Sequence, residues 1–201
     1  IKIKLFGQFL DKLIIQIDPI DGSSEYYAGG KNYCTILSKY ENNSLTETLL
    51  YLPEFGIWYH ADKSTPTTIS EAQNSSILPV PKTNNRILTY KYDEALKGQY
   101  DAQGLDLLAV TSKEWDSSSE LNTVLNGSLA GLKKSYASGL DWAPIAFLVQ
   151  QTGGIATDFN GIPLNELAFR FHPENRELYI NSLICSWNED IHKKQLLALS
   201  N

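Results

Sequence analysis

Two aspartates three residues apart, Asp18 and Asp21, flank Pro19-Ile20 and run into Gly22-Ser23-Ser24. Two carboxylates with the Ile20 carbonyl between them form an oxygen-only donor set, which suits a hard cation such as Mg2+. Pro19 fixes one backbone angle and stiffens the segment. Gly22 permits close backbone approach to a ligand, so its N–H and that of Ser23 could face an anion. The plain alternative for the same residues is an Asp-rich turn held by Asx hydrogen bonds. A third carboxylate, Asp141, stands twelve residues before Gly153-Gly154. Taken alone it reads as a helix N-cap. Asn126-Gly127-Ser128 opens a stretch of helical composition, and a helix N-terminus offers free N–H groups to a phosphate. A simple cap and turn is the alternative there.

Other reactive residue types show no chemical pattern. His60, His172 and His192 lack metal-ligand spacing and read as surface or partly buried. Gly29-Gly30-Lys31-Asn32 lacks the spacing and the hydroxyl residue of a P-loop. Trp58, Trp115, Trp142 and Trp187 read as core or interface residues, and no Ser-His-Asp arrangement can be defended.

The elements that must position these residues alternate between strand and helix. Leu13 to Asp18 is a β-branched run ending in Asp-Pro, a buried strand feeding a loop. Tyr33 to Tyr40, Thr48 to Leu52 and Ile57 to Ala61 read as a meander of antiparallel strands, with a turn at Pro53–Gly56. Ala61 to Asn85, rich in Ser, Thr, Pro and Asn, reads as loop. It divides residues 1–85, with the metal-binding segment and antiparallel sheet, from residues 86–201, which complete the site; the two are expected to form one structural unit. Arg86 to Tyr90 and Leu105 to Val110 read as strands, and Tyr92 to Asp101 as a helix. Gly127 to Ser138 also suits a helix. Asp141 to Thr152 is a stronger helix, with Pro144 in its first turn and Gly153-Gly154 stopping it. Ile155 to Thr157 and Leu183 to Ser186 are short strands. Asn188 caps a final helix, Glu189 to Leu199, with Ile191, Leu196 and Leu199 on one face. The mixture indicates an α/β or α+β sandwich.

Composition sets the outer bounds. The chain has 201 residues, 42% of them hydrophobic and 20% charged, the make-up of a globular protein. With 17 basic and 23 acidic residues, a net charge of −6, it argues against a nucleic-acid-binding surface. No window has the apolar length of a membrane helix. Cys34 and Cys185 form no zinc or redox spacing. They read as two buried thiols of a reducing cytoplasm.

In their order and spacing, the three motifs resemble the inositol monophosphatase family. This is the magnesium-dependent, lithium-sensitive phosphatase superfamily that includes fructose-1,6-bisphosphatases and 3′(2′),5′-bisphosphate nucleotidases. Asp18-Pro19-Ile20-Asp21-Gly22-Ser23 corresponds to its D-P-I-D-G-S strand end, and Gly127-Ser128 to its distant G-S. Asp141, twelve residues before Gly153-Gly154, corresponds to the aspartate of its W-D-x-A-A-G signature. Leu183 to Asn188 looks like its closing strand. The resemblance runs from about Leu13 to the end and implies a layered αβαβα sandwich of the sugar-phosphatase type. It implies that Asp18 bridges two Mg2+ ions, that Ile20 offers its carbonyl to one, and that Asp21 and Asp141 hold the other, in a set of two or three ions. Ser23 would orient the attacking water, the N–H groups of Gly22 and Ser23 would cradle the phosphate, and Gly127, Ser128 and Asp141 would line the substrate side. Three carboxylates in one pocket repel by about 4 kcal/mol per pair at ~4 Å in a surface-like dielectric, and divalent cations remove that cost. The implied reaction is in-line attack of a metal-activated water on a phosphomonoester.

The implied substrate is a small phosphorylated alcohol, first an inositol monophosphate. The runner-up is 3′-phosphoadenosine 5′-phosphate, because Asp21-Gly22-Ser23-Ser24-Glu25-Tyr26 resembles the nucleotidases' D-G-T-K-E-F. Fructose 1,6-bisphosphate is a third option, resting on the Ser23-Ser24 pair. The family's dimers imply a homodimer. Three departures stand beside these matches. The family carries a helical segment with one or two metal-ligating glutamates ahead of D-P-x-D-G, a place that Glu25 does not occupy. The segment between the G-S and W-D motifs is short here, with Tyr136-Ala137-Ser138-Gly139 passing at once to Leu140-Asp141. Leu140 stands where the family has tryptophan. These departures keep open a catalytically silent relative acting as a binding module.

Overall fold

A computed structural model describes residues 13–31, 33–71, 74–82, 84–90, 93–109, 124–172 and 177–200. Trp115, and the expected element ends at Tyr92 and Val110, lie outside the described residues. The first sheet is an antiparallel meander in chain order: β1 (Leu13–Asp21), β2 (Cys34–Glu41), β3 (Ser44–Leu52), β4 (Ile57–Asp62), β5 (Thr65–Glu71) and β6 (Asn74–Ile77). A short helix, α1 (Ser23–Tyr27), lies between β1 and β2. The β2–β3 turn consists of Asn42 and Asn43, both at positive φ, as a two-residue hairpin with right-handed strand twist requires. In β2, buried Cys34, Ile36, Ser38 and Tyr40 alternate with half-buried residues, so one face of the sheet points into the core.

The second half builds β7 (Arg86–Thr89), α2 (Glu94–Ala102), β8 (Asp106–Ala109), β9 (Gly131–Lys134), β10 (Ala137–Ser138), α3 (Trp142–Gln151), β11 (Ile155–Thr157), β12 (Arg170–Phe171), β13 (Leu178–Ile180), β14 (Leu183–Ser186) and α4 (Glu189–Leu199). Strands β11-β14-β9-β7-β8 make a five-stranded sheet, with β7 parallel to both β8 and β9. Strands β10-β13-β12 make a small third sheet. Helix α3 packs between the two large sheets, touching β3, β4 and β5 on one side and β11 and β14 on the other. Every residue from Trp142 to Val149 is buried, which is what a helix covered on both sides requires. Thr67 of β5 fixes it by donating to the Leu148 carbonyl (2.6 Å). Helices α2 and α4 cover the far face of the five-stranded sheet, with Tyr100 of α2 packed among Ile87, Leu105, Leu107 and Ala130. The described residues therefore stack β–α–β–α, a layered α+β sandwich of the expected kind.

Several expectations need correction. Ala61–Asn85 is not all loop, since it contains β5 and β6. All four residues of β6 are exposed. An edge strand wet on both faces has no apolar alternation to display, and its Asn and Ser residues mimic loop composition. Gly127–Ser138 is not a helix but holds β9 and β10. Strand β9 fills the slot between β14 and β7, a non-local pairing that outweighs local propensity. In α4 the buried residues are Ile191, His192, Gln195 and Ala198; two polar side chains face inward because Ser186 and Thr157 bond them. Strands β12 and β13 went unread.

Candidate metal centre

The expected end of the first strand at Asp18 is a β-bulge. Asp18 pairs with Ile36 and Asp21 with Cys34, so three steps along β1 face two along β2. Side chains three apart on a regular strand point to opposite faces. The extra residue cancels that alternation and turns both carboxylates to the buried face. Pro19, which has no N–H to pair, sits inside the bulge, and its carbonyl accepts from Thr35 Oγ1 (2.9 Å). The Ile20 N–H donates to Asp18 Oδ1 (3.3 Å). Asp18 is 2% exposed and Asp21 8%.

Gly22 follows in the left-handed conformation, φ 81° and ψ 35°, which any Cβ would disfavour. It reverses the chain into α1, where Ser23 is the exposed first residue. Beneath the bulge lies Cys34, fully buried, with Sγ 3.9 Å from Asp21 Oδ2. Burial first, and then the charges of Asp21, Asp18 and Asp141, push its thiol well above the ordinary cysteine range.

Asp141 arrives from the opposite side of the fold. It stands at the N-cap of α3, but its backbone is helical and its side chain makes no capping bond, so the N-cap reading fails. Its carboxylate instead joins Asp18 and Asp21: one ligand oxygen from each lies within 4.8 Å of the other two. Gly139 accounts for the approach. Its N–H donates to the Leu178 carbonyl (2.7 Å) and its carbonyl accepts from Tyr40 Oη (2.7 Å). A Cβ there would lie 2.5 Å from Tyr40 Oη and 2.9 Å from Gln16 Oε1. Ser138 adds a hydroxyl 3.4 Å from Asp141 Oδ1 and accepts from the Leu140 N–H (2.9 Å).

Gly127 and Ser128 do not open a helix; they follow the helical turn at Val124-Leu125, and Ser128 offers its carbonyl to Asn84 Nδ2 (2.8 Å). The phosphate-binding helix terminus expected there is therefore absent. His60 pairs with Glu47 (3.0 Å). Trp142 and Trp187 are core residues, whereas Trp58 is partly exposed and stacks on Tyr51.

The donor chemistry of the cluster fits Mg2+. Three carboxylates this close repel strongly in a partly desolvated pocket, and oxygen-only donors match a hard cation. Around such an ion Asp18, Asp21 and Asp141 would be the side-chain ligands, with the Ile20 carbonyl beside them in the bulge.

Comparison with known proteins agrees with this fold. The profile of the inositol monophosphatase family matches residues 8–196. The chain belongs to that family. A relative named putative Nus factor SuhB, from Neisseria meningitidis serogroup B, is 27% identical over 157 residues, covering 72% of this chain and 58% of its own length. The chain thus spans under two thirds of that relative. Among solved structures, an inositol monophosphatase from Zymomonas mobilis superposes with a TM-score of 0.68 at 15% identity, over 96% of this chain and 73% of the other. An IMPase/NADP phosphatase described in complex with Mg2+ and phosphate gives a TM-score of 0.66 at 14% identity, over 96% and 71%. At these identities the structural likeness establishes the fold.

Proposed function

We propose that this chain carries the metal-binding core of a Mg2+-dependent phosphomonoesterase acting on a small phosphorylated alcohol, with an inositol monophosphate as first substrate. The observation that carries the reading is the meeting of Asp18 and Asp21, from a bulged strand, with Asp141, from a helix that does not use it as a cap. The Mg2+ and phosphate described for one structural relative support the ligand class. Bound Mg2+ supplies charge neutralisation and acidifies a coordinated water. The chain's own groups do the rest. Asp18, Asp21, Asp141 and the Ile20 carbonyl hold the cation. The N–H groups of Gly22 and Ser23 bind phosphoryl oxygens, and Ser23 Oγ holds and orients the attacking water. Gly127 and Ser128 meet the substrate from a loop.

Phosphate release from inositol 1-phosphate, 3′-phosphoadenosine 5′-phosphate and fructose 1,6-bisphosphate, each with and without Mg2+, tests the proposal. The expected result is Mg2+-dependent release from at least one, highest with the inositol ester, and abolished by Asp21→Asn. Preference for the nucleotide would replace the substrate within the same chemistry. Mg2+ uptake without turnover of any of the three would overturn the enzyme and leave a binding module.

A further inference from the structure

Glu177 belongs to none of the motifs above, yet it ends in the neighbourhood of Asp141. It lies just before β13, 8% exposed, and its main-chain carbonyl accepts from the His172 N–H (2.8 Å). Its Oε1 accepts a hydrogen bond from Ser138 Oγ. Ser138 is buried too, and its hydroxyl stands 3.4 Å from Asp141 Oδ1. Burial first, and then the charges of Asp141 and Glu177, raise the ionisation of the Tyr40 phenol, which bonds the Gly139 carbonyl. A serine thus sits between a buried carboxylate and an expected cation ligand.

Proton counting gives the consequence. A serine hydroxyl has one hydrogen to donate and lone pairs to accept with. The Leu140 N–H occupies one lone pair of Ser138. Its single hydrogen can go to Glu177 or to Asp141, not to both. With Glu177 taking it, Asp141 Oδ1, 3.4 Å from the hydroxyl, stays directed to the pocket it shares with Asp18 and Asp21. Without Glu177 the hydroxyl would turn to Asp141 and compete with the cation for that oxygen. Ser138 also bonds the Leu140 N–H at the position before Asp141, so the same hydroxyl fixes the backbone from which the ligand projects.

We propose that Glu177 is a positioning residue for the metal centre, acting through Ser138 to keep Asp141 turned toward the cation. Partners of metal ligands carry this kind of weight, typically about 10- to 100-fold in metal affinity when removed. The inference rests on Asp18, Asp21 and Asp141 being the cation ligands.

The test is Mn2+ titration of the whole chain, read by the electron paramagnetic resonance of the free ion, with circular dichroism confirming the fold of each variant. Glu177→Ala is expected to weaken Mn2+ binding by about 10-fold or more. Glu177→Gln, whose amide oxygen still accepts the Ser138 hydrogen, stays near the wild type. Ser138→Ala weakens binding as well, because the Leu140 N–H loses the acceptor that fixes the backbone before Asp141, and the double variant Glu177→Ala/Ser138→Ala loses no more than the worse single, because both act on one hydroxyl. Folded Glu177→Ala with wild-type affinity would overturn the proposal, as would two losses that simply add. If Glu177→Ala does not fold, Ser138→Ala decides alone: unchanged affinity would end the idea. Wild-type chain that takes up no Mn2+ would instead overturn the three-carboxylate reading beneath it.

Discussion

Tyr40 Oη donates to the carbonyl of Gly139 across 2.7 Å, joining the second strand of the antiparallel sheet to the segment that delivers Asp141. The phenol is fully buried, packed edge-on against Phe169 (4.9 Å between centroids). Burial, with Asp141 and Glu177 adding to it, raises its ionisation well above the ordinary tyrosine range, so it remains a donor. One hydrogen bond thus spans the two halves of the chain beside the carboxylates that must meet.

Gly139→Ala tests that closeness. The added methyl would press on Tyr40 Oη, Gln16 Oε1 and the Leu178 carbonyl together; the Gln16 tip can swing aside, but Tyr40 Oη is held by its bond to Gly139 and the carbonyl is main chain. Overpacking of this kind costs about 1–3 kcal/mol. The expected outcome in urea denaturation is a loss in that range, with cation uptake falling further because Asp141 is pushed from its partners. Unchanged stability would show that the segment has room to shift.

The bulge makes a second prediction. Inserting one residue into β2 between Thr35 and Ile36 would set three steps of β2 against three of β1, restore regular pairing and send the Asp21 side chain to the face opposite Asp18. Mg2+ binding by calorimetry is expected to vanish while the antiparallel sheet persists in circular dichroism. Retained binding would mean that the register shift between Asp18 and Asp21 does not assemble the site.

Asp141→Asn separates ligand from cap. Asp141 makes no capping bond, so α3 should not suffer, and one of three crowded charges is gone. Without divalent ions the variant is expected to melt higher than the wild type, by about 2–4 °C for each kcal/mol of relieved repulsion in a chain of this size. The Mg2+-dependent rise in Tm, which follows mass action for a ligand bound by the native state, should be lost. A lower Tm in metal-free buffer would restore the structural role to Asp141.

The sequence displayed the pieces of this site more clearly than their assembly. Asp18, Asp21 and Asp141 stood out because strand-end carboxylates and their glycine neighbours are local signals. The meander was legible from β-branched runs and the Pro53–Gly56 turn, and α3 from Pro144 and Gly153-Gly154. What failed was decided elsewhere in the chain. Leu132 and Lys133 form a central strand because β14 and β7 flank them, and no local pattern records that. β6 is polar because both of its faces are wet. Glu177 carried no motif, and only the fold brings it to Ser138.

The cysteines give a prediction about burial. Both are fully buried and free. Burial raises Cys185 to about 12, and Cys34 also moves up, through burial and the neighbouring aspartates. The thiolate is the reactive form, so neither should react with a disulfide reagent at pH 8 in the native state, and both should react in denaturant. Rapid labelling of native Cys34 would contradict its place under the bulge.

His192 contributes to the acid sensitivity of the fold. It is 4% exposed on α4, with Nε2 3.0 Å from Thr157 Oγ1 and Nδ1 3.3 Å from Ser186 Oγ. Burial lowers its pKa from 6.5 to about 4, so the native state holds the neutral ring while the unfolded chain protonates near pH 6.5. Its contribution is complete above that pH. As pH falls from about 6.5 to about 4 the unfolded state binds a proton that the native state does not, and stability declines. Below about 4 both states are protonated and the decline from this group ends. Denaturant midpoints between pH 7 and pH 4 should show the slope in the wild type. His192→Gln, which keeps a polar side chain between Thr157 and Ser186 without a titrating ring, should flatten it. An equal slope in both proteins would assign the acid sensitivity to other groups.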